Sequence, residues 1–111
     1  MKLQDIIDKL NLKPLTNMEE RDVEGVFISD MLSDVMTSAK SGEIWLTVQT
    51  HTNIVSAANL VDVSAIIVTQ GKTVPQNTID LANRYLVIIL STPKTTFEIA
   101  TEMIGIGVKN R

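Results

Sequence analysis

The stretch Glu43-Ile44-Trp45-Leu46-Thr47-Val48-Gln49-Thr50-His51-Thr52-Asn53 decides the fold of this chain. It opens as an apolar, β-prone segment and ends in amides, hydroxyls and the single histidine of the sequence. That change predicts a strand whose tip leads directly into a helix. In open α/β sheets, ligands bind in the crevice beyond the carboxyl ends of the strands, so such a tip is the first place to look for function.

Three further apolar runs continue the pattern on both sides of this segment. The four runs are centred near Phe27, Leu46, Ile67 and Ile88, at separations of 19, 21 and 21 residues. Each gap fits one crossover helix with two short loops. The last two runs are apolar at nearly every position, which is typical of strands covered on both faces. The sequence therefore predicts an α/β fold, with a mostly parallel four- or five-stranded sheet flanked by helices from successive βα units.

Helical spacing fills the intervals between the runs. An opening helix places Leu3, Ile6, Ile7 and Leu10 on one face, and Asn11 to Glu24 is predicted to be a loop with a short strand around Leu15. The helix after the first of the four apolar runs has a cap at Ser29 or Asp30, and its apolar residues are Met31, Leu32, Val35, Met36 and Ala39. The helix after the second run has a cap at Asn53, and its apolar residues are Ile54, Val55, Ala58 and Val61.

Two more helices complete the predicted units. Pro75 opens the third crossover helix, because a proline loses no hydrogen bond in a first turn. Thr95 and Glu98 have the spacing of a capping box at the start of the last helix, and Gly105 or Gly107 ends it. The residues that we expect these helices to turn toward the core are Ile79, Ala82 and Leu86, then Phe97, Ala100 and Ile104.

Composition narrows the class of protein. A chain of 111 residues with 44% hydrophobic content fits one domain over residues 1–111. No segment reaches the roughly 18 uninterrupted apolar residues of a membrane helix. The net charge of -3, with basic residues scattered along the chain, gives no stripe for nucleic acid. The lack of cysteine excludes disulfides and cysteine-bound metals and fits a cytoplasmic protein.

Polar residues follow each predicted strand, and parallel strands bring their ends to one edge. We therefore predict a ligand-binding rim with help from helix N-termini, suited to a phosphate or carboxylate. Its residues are Asp30, Gln49, Thr50, His51, Asn53, Thr69, Lys72 and Ser91. The alternative is that Ser29, Asn53 and Thr92 simply cap helices, as such residues do in most α/β proteins.

Catalytic and metal signatures are weak in this sequence. Neither Gly-rich phosphate loop occurs, and His51 has no acid beside it in sequence to orient it as a base for Thr47 or Thr50. Asp30 and Asp34 lie one helical turn apart, as many solvated pairs do. We expect no enzyme activity, no catalytic residue, no metal site and no cofactor.

Trp45, Thr47 and Gln49 share one face of their strand. A tryptophan beside polar side chains suits a subunit interface, where a large ring is buried while polar groups find partners. Packing beneath a helix of the same chain explains the pattern equally well, and the sequence leaves both interpretations open.

Four segments together resemble the DRTGG domain family. They are SDMLSDVMTSAK at 29–40, SGEIWLTVQTHTNIVSAA at 41–58, AIIVTQGKTVP at 65–75 and LVIILSTPKTTFEIA at 86–100. Where the naming motif of the family falls, this chain reads Arg21-Asp22-Val23-Glu24-Gly25-Val26, with the acidic-basic pair inverted and one glycine in place of two. The resemblance covers nearly the whole chain, so it implies one DRTGG-like domain.

Related domains precede the catalytic domain of bacterial HPr kinase/phosphorylase and accompany CBS domains in certain pyrophosphatases. The resemblance therefore implies a non-catalytic regulatory or sensing domain that self-associates, most simply as a homodimer, or that pairs with another protein. The kinase chemistry does not follow, because the P-loop domain is missing from this sequence. The alternative hypothesis is a protein that binds a nucleotide or a phosphorylated metabolite at the rim.

Overall fold

The computed structural model describes residues 1–110 and forms a five-stranded sheet with helices on both faces. The strands, in chain order, are β1 (Lys13–Pro14), β2 (Gly25–Ile28), β3 (Glu43–Thr47), β4 (Ala65–Val68) and β5 (Ile89–Ser91). The helices are α1 (Leu3–Leu10), α2 (Leu32–Ser38), α3 (Asn53–Val61), α4 (Gln76–Arg84) and α5 (Thr96–Gly105).

The sheet has the order β1-β5-β4-β3-β2. Strands β2 to β5 run parallel, and β1 lies antiparallel to β5. In the centre, Trp45 stands beside Phe27 on one side and Ile66 on the other. The predicted α/β fold with a mostly parallel sheet is confirmed. The first strand begins at Lys13 instead of near Leu15, although the Leu15 N–H still donates to the Ile89 carbonyl at 2.9 Å.

A separate apolar cluster covers each face of the sheet. On one face, α1 and α5 pack over side chains that include Ile44, Leu46, Ile67 and Leu90. On the other face, α2, α3 and α4 pack over Trp45, Ile66, Val68 and Ile89. All eight of these strand residues have no exposed surface. Burial on both faces explains why successive residues of β3, β4 and β5 are apolar in the middle of the sheet, since each buried aliphatic side chain contributes about 1.5–3 kcal/mol.

Helices α1 and α3 present the faces that their sequence predicts, and α4 does so in part, since Ala82 is buried and Ile79 is half-buried. In α1, all four predicted core residues are buried. In α3, Ile54, Val55 and Ala58 are buried, with Ala57 beside them. Helix α4 begins directly after Pro75 and turns Ala82 into the core. Among residues 1–110, no helix is long and apolar enough to cross a membrane.

Other residues expected in the core lie at the surface. In α5, Phe97 is 80% and Ile104 73% exposed, because the helix is turned so that Ile99 and Met103 enter the core instead. Leu86 is 66% exposed because it occupies a turn with a φ of 59°, after which Val87 enters the core.

Helix α2 also departs from the predicted core face. Met31 and Met36 are exposed, and Val35 is its buried residue. This helix has seven residues and packs against α3, at the side of the sheet that ends in β2. A short helix at the margin of a sheet has less strand surface to cover than a central one, so more of its apolar residues stay in contact with water.

The predicted capping box of α5 is present. The Thr95 hydroxyl accepts from the Glu98 N–H at 3.2 Å, and the Glu98 carboxylate accepts from the Thr95 N–H at 3.0 Å. The bond from the Thr95 backbone lowers the pKa of Glu98, and the Thr95 side chain lowers it further. Beyond the helix, Gly107 has a φ of 101°, a conformation that favours glycine.

Thr95→Ala is expected to destabilise the protein by about 1 kcal/mol in urea unfolding, because the α5 N-terminus loses its side-chain acceptor. The control is Thr101→Ala on the exposed side of the same helix, which should change stability little. Since the folded pKa of Glu98 is lowered, its contribution is complete above the pKa of an unfolded glutamate and disappears as the pH falls through the folded value. Equal losses in both variants would contradict this role of the box.

Candidate functional site

The carboxyl ends of β2, β3, β4 and β5 meet along one edge of the sheet, because these strands are parallel. We call this the carboxyl edge, formed by Ile28, Thr47, Val68 and Ser91 with the loops that follow them. The fold thus places the predicted rim residues along one border of the molecule, His51 and Ser91 included. How their side chains are engaged decides what this border can do.

Asp30 fastens the loop after β2 to the end of β3. Its carboxylate accepts from the Thr47 hydroxyl at 2.8 Å and from the Val48 N–H at 2.9 Å. Its carbonyl accepts from the Gln49 side-chain amide at 3.1 Å. The Asp30 carboxylate therefore does not cap α2. Ser29 takes part at that helix start, where its hydroxyl accepts from the Met31 N–H at 3.1 Å.

Trp45 and Thr47 belong to the interior of this chain. Trp45 has no exposed surface, and its indole N–H donates to the Ser29 carbonyl at 2.8 Å. Thr47 is 1% exposed, whereas Gln49 faces solvent. Of the two interpretations of this strand face, packing beneath a helix therefore describes Trp45 and Thr47. Neither residue reaches the surface of the single chain, so neither can contact a second subunit without a change in packing.

His51 lies at the start of α3 and acts there as a capping group. Its Nδ1 accepts from the Asn53 N–H at 3.2 Å. We predicted Asn53 to be the cap of this helix, but Asn53 is the first residue of the helix and follows the N-cap residue Thr52. The neighbouring Thr50 carbonyl accepts from the buried Thr78 hydroxyl at 2.8 Å, which joins this loop to α4. In residues 1–110, His51 forms no ion pair with a carboxylate.

The loops after β4 and β5 are joined to each other. The buried Thr69 hydroxyl lies 2.7 Å from the Thr96 hydroxyl at the start of α5. The Gln70 N–H donates to the Lys94 carbonyl at 2.8 Å, and the Gly71 N–H donates to the Thr92 carbonyl at 2.9 Å. These bonds hold a turn in which two successive residues have positive φ, 64° at Gln70 and 66° at Gly71.

The two lysines of this edge differ in their surroundings. Lys94 forms an ion pair with Glu102, with 2.7 Å between Nζ and Oε1. Lys72 is exposed and forms no ion pair in the described part of the chain. Ser91 is half-buried at the end of β5, where it pairs with Lys13. Lys72 is therefore the cation of this edge that remains available to an anionic molecule.

At the opposite end of the strands, where their amino ends lie, Arg21 has a role that the sequence did not suggest. The Arg21 guanidinium donates to the Glu19 carboxylate at 2.7 Å, to the Ser64 carbonyl at 3.2 Å and to the Leu86 carbonyl. Arg21 therefore ties the segments that enter β4 and β5. It lies in the segment that corresponds to the naming motif, so in this chain that segment carries structural hydrogen bonds. The one sequence feature that could have pointed to this role is the position of Arg21 among the acidic residues Glu19, Glu20 and Asp22.

Within residues 1–110, apolar side chains are exposed together at two places on the surface. The first, the outer stripe, consists of the exposed Phe97 and Ile104 of α5 with the half-buried Ala100 on the same side of the helix, beside a groove that Val26 and Ile28 of β2 also line. The second, the helix patch, is formed by Met36, Leu60, Leu81 and Tyr85 on α2, α3 and the end of α4. Sequence patterns did not reveal the outer stripe, because they place Phe97 and Ile104 in the core.

Asp30→Ala is expected to lower the free energy of unfolding by about 1–2 kcal/mol, because the buried Thr47 hydroxyl and the Val48 N–H lose their acceptor. Asp34→Ala is the matched control, since Asp34 is an exposed aspartate on α2. Urea unfolding of both variants measures the difference. A loss no greater for Asp30 than for Asp34 would show that the carboxyl edge does not depend on this carboxylate.

One solved structure with a similar fold is the crystal structure of the CBS and DRTGG domains of the regulatory region of Clostridium perfringens pyrophosphatase, complexed with its activator diadenosine tetraphosphate. The TM-score is 0.70 at 20% sequence identity, which is a likeness of fold. The match covers 92% of this chain and 45% of that chain, so this chain spans under half the length of that protein.

No curated protein matches the sequence. The sequence model of the DRTGG domain, in contrast, matches residues 5–105, which include every strand and all but the first two residues of α1. That agreement extends over the segments on which the resemblance was based, and it agrees with the fold of the solved structure. The chain belongs to the DRTGG domain family.

Proposed function

We propose that this chain is a non-catalytic regulatory or sensing domain that acts by association with a second copy of itself. Membership of the DRTGG family supports a regulatory role, because the solved structure of similar fold is the regulatory region of an enzyme. The function of the domain then lies in its contact with the second copy, and the carboxyl edge carries out no chemical reaction.

One observation carries this proposal: helix α5 is apolar on two sides. Ile99 and Met103 are buried in the core, whereas Phe97 and Ile104 on the outer stripe are 80% and 73% exposed. The apolar side of α5 is therefore wider than the part that the core of its own domain covers, whereas the apolar stripe of a surface helix is normally buried. Covering apolar surface contributes roughly 25 cal/mol per Å², and exposed clusters of this kind mark interaction sites.

The carboxyl edge supports the same conclusion. The Asp30 carboxylate accepts two hydrogen bonds from the end of β3 and the residue after it, and the buried Thr69 hydroxyl lies 2.7 Å from the Thr96 hydroxyl. These side chains join separate parts of the chain, and the Thr50 carbonyl joins its loop to α4 in the same way. This arrangement favours a structural role for the border and leaves the exposed apolar surface as the interacting feature.

Sedimentation velocity across the micromolar range is expected to give a species near twice the 12.2 kDa mass of the monomer. Dilution should shift the population toward the monomer, because association depends on concentration. A single 12.2 kDa species at every concentration would contradict self-association.

A second candidate function is the binding of a nucleotide or phosphorylated metabolite at the carboxyl edge. Two observations favour it: the regulatory region of similar fold is complexed with a dinucleotide activator, and Lys72 presents an exposed ammonium group in the loop after β4. An ammonium group is a common partner for phosphate oxygens. Gln49 and His51 line the same border and face solvent, so they complete this candidate site.

Diadenosine tetraphosphate and simple adenine nucleotides are the probes for this candidate. A ligand at a hundred times its dissociation constant should add about 2.7 kcal/mol to the stability, which thermal melting detects. Lys72→Ala should reduce the shift, and Lys9→Ala, an exposed lysine on α1, should leave it unchanged. Equal thermal shifts in both variants would show that the ligand binds elsewhere than at Lys72. No thermal shift with any probe would contradict nucleotide binding by this domain.

A further inference from the structure

The two edge strands of the sheet, β1 and β2, are protected against pairing with a further strand to different degrees. At one end, β1 has two residues, a lysine and a proline, and both features discourage further strand pairing. At the other end, β2 is Gly25-Val26-Phe27-Ile28, followed by Ser29, with no charge and no proline. An edge strand of this composition normally has a partner, because unprotected edges pair with other chains.

The hydrogen bonds of β3 show which of its residues face β2. The Glu43 carbonyl accepts from the Ser64 N–H at 2.8 Å, and the Thr47 carbonyl accepts from the Thr69 N–H at 3.1 Å. These two β3 residues therefore turn their backbone toward β4. Because backbone groups alternate in direction along a strand, Ile44 and Leu46 turn theirs toward β2, and the Leu46 carbonyl accepts from the Ser29 N–H of the segment that follows β2.

The same alternation identifies the free groups of β2. The Ser29 N–H donates to the Leu46 carbonyl at 3.4 Å, so Phe27, two residues earlier, also directs its backbone to β3. The N–H and C=O groups of Val26 and Ile28 then point away from the sheet. The sheet order places no strand beyond β2 within residues 1–110. These groups can be paired by an added strand.

The side chains at this edge are apolar on both faces of the sheet. Val26 and Ile28 line the groove beside the outer stripe of α5, and Ile28 is 49% exposed. Phe27 points to the opposite face, where it is half-buried against the cluster beneath α2 and α3. An added strand would therefore be flanked by apolar side chains on each side.

We infer that a second copy of this chain pairs antiparallel along β2, about a two-fold axis that passes by Phe27. This inference rests on the self-association proposed above and names its surface. In this register Val26 lies opposite Ile28 of the second copy, so every outward N–H and C=O of both residues is paired. Phe27 lies opposite Phe27, which gives an aromatic contact on the other face.

Self-complementarity is the reason to choose a second copy over another protein. The run Gly25–Ser29 places no like charges opposite each other in this register, and each apolar residue meets an apolar residue. Glu24 and Asp30 meet only at the margins, where the Asp30 carboxylate is turned back onto Val48. A two-fold axis perpendicular to the sheet keeps both α5 helices on one face, so the two outer stripes can cover each other.

Ile28→Lys tests the inference, with Leu60→Lys on the helix patch as its control. Both residues are exposed in the single chain, at 49% and 69%, so both variants should fold. Burying an unpaired ammonium group in the joined edge is expected to raise the dimer dissociation constant about a hundredfold in Ile28→Lys and little in Leu60→Lys. Ile104→Lys, on the exposed side of α5, should also weaken the dimer.

Sedimentation of all three variants beside the unchanged protein separates the outcomes, with circular dichroism to confirm folding. Loss of the dimer in the Ile28 and Ile104 variants alone supports pairing along β2. A dimer that survives both substitutions and is lost in Leu60→Lys would overturn this inference and leave the proposed self-association standing. A monomer before any substitution would overturn both.

Discussion

The parallel hydrogen-bonded alignment of β2, β3, β4 and β5, with apolar clusters on both faces, is the constraint on which the rest of the structure depends. It places β3 and β4 between neighbouring strands with helices on both faces, so residues 44–46 of β3 and all four residues of β4 are apolar. It also delivers every strand tip to the same border. The positions of Asp30, His51, Thr69 and Ser91 along that border follow from strand direction alone.

A parallel sheet leaves unpaired backbone groups on its two edge strands and polar groups in the loops at the strand ends. In this chain these groups differ in whether they have partners. The loop ends are held by bonds between their own polar groups, such as Asp30 to Thr47 and Thr69 to Thr96. One edge ends in Lys13 and Pro14, which discourage pairing. The other edge, β2, remains open beside the apolar outer stripe. The unpaired backbone groups and the exposed apolar side chains of this domain therefore lie together at β2, and association there would pair the groups and bury the side chains.

Local patterns predicted much of this fold, because strand hydrophobicity, the face of α1 and the Thr95–Glu98 box depend on residues a few positions apart. The orientation of α5 was not predictable in this way, since the stripe through Phe97 and the stripe through Ile99 are both apolar. The partners of the polar rim residues were also out of reach. Asp30 bonds a hydroxyl 17 residues away, and Thr69 bonds one 27 residues away, so only the folded sheet reveals them.

Amide hydrogen exchange at β2 tests the central claim most directly, because it reports on the backbone groups that the second copy is inferred to pair. At high protein concentration, the Val26 and Ile28 amides should exchange slowly, and dilution to the monomer should release them while the Phe27 amide stays protected by β3. Fast exchange of Val26 and Ile28 in a sample that is fully dimeric would contradict the account.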